Sequence, residues 1–271
     1  PRMNSTEWLV DDRLPVLLAQ GELTVEGRLT DASNATLRCE IAVDGADSLT
    51  CVYKPVAGER PLWDFPEWTL TRRELAAHAL SEAAGWNLVP PTVWREDGPG
   101  GPGMCQLWID EESRSAKVAI VRTGRVRSGW LHVLDAEDGT GRPVSLVHAD
   151  DDDLQRMAVF DAIANNADRK GGHVLTDESG RVWAIDHGVT FSVDEKLRTV
   201  LWGWAGEPLP TWLIGELTSL DAVLGSGYDP VDRWLAEDER EGLRARLGRL
   251  LDSGDFPLPP QRWPAIPWPV F

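Results

Sequence analysis

The run from Asp151 to Gly188 constrains this chain most, because it sets a helix, a polar loop, a hairpin and a second acid in immediate succession. In "DDDLQRMAVFDAIANN" the acids stand where a helix N-terminus welcomes negative charge, and Leu154, Met157, Ala158 and Ile163 form an apolar stripe. The helix runs into "NADRKGGH", whose Asn, Asp and Gly residues tolerate positive φ and bond their own backbone, as any exposed chain reversal requires. "VLTDESGRVWAID" then reads as strand, turn and strand, with Asp177 to Gly180 at the reversal. Asp168 and Asp186 therefore flank a hairpin, 18 residues apart. His148 and Asp150 to Asp153 have the chemistry of metal ligands, but capping and solvated charge account for them more simply.

The N-terminal part reads differently. "TLRCEIAV" places Leu37, Cys39, Ile41 and Val43 on one face and Arg38 and Glu40 on the other, the period of a half-buried strand. "VDGADS" supplies a turn and "LTCVYKP" a second strand, so residues 36–54 predict an antiparallel hairpin ending on Lys54. Before it, "LTVEGRLT" predicts a further strand, and the polar loop Thr30 to Asn34 has backbone N–H groups and the Ser33 hydroxyl to offer phosphate oxygens, but it lacks glycine-rich spacing and a plain turn explains it better. "TRRELAAHALSEAAGW" carries Leu75, Ala76, Ala79, Leu80 and Ala83 at helical spacing with Gly85 as its stop, and Thr71 and Glu74 match a capping box. "REDGPGGPG" is a turn and "MCQLWI" a short apolar strand.

With 271 residues and 42% hydrophobic content the chain has material for one large domain or two small lobes. Its net charge of −17 argues against nucleic-acid partners and against an anionic membrane surface. Cys39, Cys51 and Cys105 are odd in number and lack C-x-x-C spacing, which fits reduced thiols in a cytoplasmic protein. No apolar run approaches the roughly 18 residues that a membrane helix needs, so integral membrane association is not expected.

Phosphoryl transfer from ATP needs one carboxylate to accept or orient the nucleophile's proton, a second to hold the metal on the phosphates, and a lysine to steady them. Lys54, Asp168 and Asp186 supply those groups in the matching chain order, and their joint occurrence is more specific than any single motif. "YKP" at 53–55, "NADRKGGH" at 166–173 and "IDHG" at 185–188 resemble the phosphoinositide 3-/4-kinase-like group, especially type II phosphatidylinositol 4-kinases and HipA-type bacterial kinases. Over most of the chain, "GERPLWDFP", "NNADRKGGH" and "KLRTVLWGWAGEPLP" resemble an actinobacterial family with a phosphoinositide-kinase-like label.

The resemblance implies an α+β, two-lobed protein-kinase-like fold: a β-rich N-lobe over residues 3–105, a hinge at 106–111 contacting adenine through Gln106 and Trp108, and a mostly helical C-lobe over 112–271. It further implies Glu74 as the helix partner of Lys54, Ser33 and Asn34 near the phosphates, Asp168 as catalytic base and Asp186 on metal. Arg169 stands beside the base among the candidate catalytic residues, better suited to fixing the loop than to touching substrate, and His187 within Asp-His-Gly is expected to bond locally. Where the family carries a metal-binding Asn five residues after the catalytic Asp, this chain has His173. Imidazole suits manganese better than magnesium, so the expected cofactors are ATP with Mn²⁺ preferred over Mg²⁺. The expected activity moves the γ-phosphate to a hydroxyl on a protein, including this one, or on a small soluble alcohol. A nucleotide-binding pseudokinase acting as a binding module and an AMP transferase are the alternatives.

Three segments stand outside this scheme. Arg114, Lys117, Arg122, Arg125 and Arg127 interrupt an acidic chain, as a mobile solvated loop or a landing site for an acidic or phosphorylated substrate. Trp202, Trp204 and Trp212 suit core packing or a partner surface better than a substrate platform. "VDRWLAEDEREGLRARLGRLL" predicts an amphipathic helix or pair, and the proline-rich end an extended surface segment.

Overall fold

The computed structural model describes residues 3–29, 34–43, 48–261 and 264–271. Strands β1 (Leu23–Arg28), β2 (Leu37–Ala42) and β3 (Ser48–Pro55) form the antiparallel meander that the period-two pattern requires. Strands β4 (Thr92–Arg95) and β5 (Gly103–Leu107) complete a five-stranded sheet of order β1-β2-β3-β5-β4. Along β3 the pleat sends Leu49, Cys51 and Tyr53 into a small core with Cys39, Ile41 and Cys105, leaving Val52 and Lys54 on the opposite face. Helices α1 (Ser5–Trp8) and α2 (Leu14–Gln20) bring Trp8, Leu14 and Leu18 to that core. All three cysteines are buried as free thiols.

Helix α3 (Leu70–Ala83) crosses behind the sheet, and Gly85 follows it at φ +69. The capping box expected of Thr71 and Glu74 does not form. Thr69 occupies the N-cap without a side-chain bond, and the carboxylate of Glu59 instead accepts from the N–H groups of Leu70 and Thr71 at 3.1 and 2.8 Å. Glu74 lies one turn inside the helix, free to face elsewhere.

The basic run is part strand and part loop: Arg122 ends a strand, Arg114 sits in a short 3-10 turn, and Arg125 and Arg127 lie in the exposed connection 123–129. Strands β6 (Val118–Arg122), β7 (Trp130–Glu137) and β8 (Pro143–Ala149) build a second antiparallel sheet of order β6-β8-β7. One of its strands carries a bulge at 132–134, which breaks the alternation in the sequence. Helix α4 (Asp152–Ala164) follows, with Asp151 as N-cap accepting from Asp153 and Leu154, so capping does account for that acid. Strands β9 (Val174–Thr176) and β10 (Val182–Ala184) pair as the expected hairpin. Helices α5 (Thr211–Gly225), α6 (Asp229–Asp232) and α7 (Glu237–Ser253) close the helical part, whose core runs through Met157, Phe160, Leu213, Leu217 and Leu247. Trp204 is buried here with its indole N–H on Asp150, as packing predicts. The result is an α+β molecule, an antiparallel sheet with one helix across it joined to a mainly helical part. Among the described residues no helix is long and apolar enough to cross a membrane.

Candidate active site

A cleft of about 390 Å³ opens where the sheet meets the β9–β10 hairpin. Leu29, Val52, Leu175 and Ile185 provide apolar walls, and Lys54, His173 and Asp186 line its polar end. Gln106 and Trp108 lie on its wall, where the chain leaves β5, and Asn34 lies at its mouth. A larger concavity of about 890 Å³ beside α7 shares none of these residues.

Lys54 reaches into the cleft because the pleat of β3 turns it away from Tyr53. Its ammonium donates to Glu74 Oε1 at 2.5 Å and to Asp186 Oδ1 at 3.0 Å. Burial opposes the charge on Lys54, but Asp186 and Glu74 outweigh it and hold the ammonium above its ordinary range. The Lys54 charge in turn keeps the Asp186 carboxyl well below the usual carboxylate range, against the opposing effect of burial. Asp186 takes φ +62, a left-handed conformation, two residues after the end of β10. Glu74 spans the junction, since its second oxygen accepts from the His187 N–H at 2.8 Å.

The loop after α4 is built by its amides. Asn165 ends the helix at φ +51 and donates to Ser192 and Asp194 carbonyls. Asn166 accepts from the Asp168 N–H at 3.0 Å and donates to Asp161 at 2.9 Å. Arg169 is fully buried: Nε and Nη2 grip Asp161, Nη1 reaches the carbonyls of His173 and Ile185, and Nη2 also donates to His187 Nε2 at 2.7 Å. The structure thus puts Arg169 beneath the loop rather than in the cleft. His187 is buried and held neutral, with its ring packed against Phe160 and bonded to Arg169 on the preceding loop rather than to its own neighbours.

Asp168 remains partly exposed with Lys170 Nζ 3.3 Å from Oδ2. Burial raises its carboxyl above the ordinary aspartate value, an effect that the Asp186 charge reinforces. His173 bonds the Asp168 carbonyl through Nδ1 at 3.0 Å, which requires the proton on that nitrogen. Burial pushes the imidazole down to about 4, so Nε2 presents a lone pair to Asp186 Oδ2, 3.4 Å away. Two acceptors facing each other at that distance suit a cation held between them. Among the described residues no group of three or more His, Cys, Asp or Glu side chains forms a complete metal site. His173 and Asp186 fit a metal whose other ligands come from a bound molecule.

Other sequence candidates are committed elsewhere. The Gln106 amide donates to Thr92 Oγ1, and one face of Trp108 is covered by the Arg38 guanidinium at 4.8 Å. Asn34 accepts from the Arg60 N–H, while Ser33 falls outside the described residues. Sequence reasoning passed over Lys170, although it stands two residues after Asp168, and over Asp161, whose partner Arg169 is distant by two helical turns.

Structural comparison places this architecture among kinase-like folds. The hydra Fam20 structure, solved with sugar, superimposes with a TM-score of 0.56 at 15% identity, covering 93% of this chain and 94% of the other. The Golgi casein kinase with Mn/ADP bound gives 0.50 at 13% identity, covering 93% and 76%. At the sequence level the chain is 49% identical over 273 residues to protein Rv2133c of Mycobacterium tuberculosis, spanning 97% of each, and it belongs to the same family. No protein-family profile matches it.

Proposed function

We propose that this protein is an ATP-dependent phosphotransferase of atypical-kinase type that moves the γ-phosphate of ATP to a hydroxyl. The observation that carries the reading is the Lys54 ammonium bonded at once to Glu74 and Asp186, on the wall of a cleft that also holds His173. Residues 3–105 serve as N-lobe, 106–111 as hinge and 112–271 as C-lobe, with adenine between Val52 and the Leu175–Ile185 floor. The Mn/ADP bound to the Golgi casein kinase, and the phosphoinositide-kinase-like motifs, support a nucleotide in this cleft.

In this mechanism Lys54 steadies the phosphates while Glu74 fixes its direction. His173 Nε2 and Asp186 Oδ2 would hold a divalent cation, which when bound neutralises phosphate charge. Asp168 receives the acceptor's proton as the hydroxyl oxygen bonds to the γ-phosphorus and the bond to the β–γ bridging oxygen breaks, releasing ADP. Its raised affinity for protons suits it as the base, and Lys170 beside it offers positive charge to the moving phosphoryl group. Arg169 positions the loop. The acceptor is a hydroxyl of a protein, this one included, or a small soluble alcohol, since the charge of −17 disfavours an anionic membrane as workplace.

Incubation with Mn²⁺ and either γ- or α-labelled ATP, followed by intact-mass analysis, tests the reading. Transfer of the γ-label, or a protein mass gain of one phosphoryl group, supports it. Transfer of the α-label would assign AMP transfer instead, and nucleotide binding without transfer to any acceptor tried would assign a pseudokinase.

A further inference from the structure

The proline-rich segment 264–271, expected as an extended surface stretch, is anchored at both ends of its run. The Ala265 carbonyl accepts from the Thr199 N–H at 3.1 Å and from the Trp202 indole at 2.8 Å. Thr199 in turn bridges to Arg169 and places its hydroxyl 3.3 Å from Asp161 Oδ2, so this anchor stands beside the buried pair that holds the Asp168 loop. At the other end the Val270 carbonyl accepts from the Gly171 N–H at 2.7 Å. None of residues 264–271 lines the cleft.

The bond to Val270 answers a local need. Gly171 opens the single 3-10 turn Gly171–His173, and the first N–H of such a turn has no partner within it. Lys170, at the N-cap, makes no side-chain bond there. Phe271 then covers the turn: a methyl group on Gly171 would overlap three carbons of its ring. Gly171 does not have the positive φ that would itself call for glycine, so the ring is what excludes a side chain. Gly172 is exposed, and the same addition there would meet no described atom within 4 Å. The two glycines of "KGGH" therefore differ, the first fitted to the segment and the second free of it.

Lys170 lies between two fixed points. Before it, Arg169 is gripped by Asp161, and its N–H donates to the Arg198 carbonyl at 3.0 Å. After it, Gly171 is held by Val270 and Phe271. The Lys170 ammonium stands 3.3 Å from Asp168 Oδ2. His173 has ties of its own, to the Asp168 carbonyl and to Arg169, so loss of the Val270 and Phe271 contacts frees Lys170 first. The Phe271 residue is 48% exposed, which makes this a contact that can be released without unfolding the core.

We propose that residues 264–271 form a strap that positions Lys170 against Asp168, with Val270 and Phe271 acting through Gly171. Its effect on catalysis rests on the phosphotransferase reading, whereas its hold on the loop does not. Lys54, Glu74 and Asp186 lie outside the strap's anchor points at Gly171, Thr199 and Trp202, so releasing the strap slows transfer without weakening nucleotide binding.

The test pairs amide exchange with ADP release from Mn²⁺–ATP. In Phe271→Ala the exchange of the Gly171 amide should rise about tenfold, the scale of one weakened hydrogen bond, while Gly172→Ala should keep that amide protected and melt like the parent. Gly171→Ala, which pushes the ring away, should loosen residues 168–173 likewise, and adding Phe271→Ala should make it no worse, since the methyl then has room. For turnover, Phe271→Ala should lower kcat about tenfold, within the roughly hundredfold that a misplacement of about 1 Å can cost, with KM for Mn²⁺–ATP unchanged within about twofold. In a Lys170→Ala background the same substitution should have no further effect on kcat. Unchanged exchange in Phe271→Ala, additive losses in the Gly171 and Phe271 pair, or an undiminished kcat loss without Lys170 would overturn the proposal. A parent that releases no ADP would defeat the phosphotransferase reading alone, and the exchange results would still decide the strap.

Discussion

Arg169 and Asp161 form an ion pair with neither side chain exposed, Nη2 to Oδ1 at 2.9 Å, and it ties the loop bearing Asp168 to the helix that precedes it. Removing one partner strands the other charge in the interior. Asp161→Ala is expected to cost about 3–5 kcal/mol, the range for breaking a buried pair, read as a lowered urea midpoint. A loss below about 1 kcal/mol would mean that the loop does not depend on this pair.

Glu59 performs the capping that sequence pattern assigns to Thr71 and Glu74. Glu59→Ala should destabilise the fold by about 1 kcal/mol, as loss of a helix cap does, and should loosen the N-terminus of α3 in amide exchange. Unchanged protection at Leu70 and Thr71 would contradict the assignment.

Much of the fold is legible in the sequence because local rules suffice for it. The 37–55 hairpin follows from alternation, α3 and α4 from apolar spacing, and the β9–β10 turn from Asp177 and Gly180. The site is legible only in part, through residues whose chemistry is unusual for their position: Lys54 at a strand end and acids on either side of a hairpin. What escapes is set by long-range contact. Glu59 caps a helix 11 residues on, Arg169 is buried by a partner on another element, and the β6–β8–β7 sheet pairs its outer strands only through a central strand that comes last. None of these relationships has a local period.

His173 in place of a carboxamide predicts a metal preference. Transfer activity should be greater with Mn²⁺ than with Mg²⁺, and His173→Asn should shift the preference toward Mg²⁺. Identical titrations of the two metals in parent and variant would remove His173 from the ligand set.

Asp168 must be unprotonated to accept a proton, and burial raises its carboxyl above the ordinary aspartate value. Activity should therefore be present at neutral pH and fall as pH drops through that raised value, at higher pH than an exposed aspartate would show. Asp168→Asn should remove most activity while leaving nucleotide binding. A flat profile down to the ordinary aspartate range would contradict its assignment as base.

The convergence of Lys54, held by Glu74, and Asp186 on one bound nucleotide is the claim on which the proposed chemistry depends, and calorimetric titration with Mn²⁺–ATP measures it directly. The account predicts a single saturable site in the parent and at least about tenfold weaker binding in Lys54→Met, the scale of one lost charge-assisted contact to phosphate. No binding by the folded parent, or equal affinity in parent and variant, would contradict it.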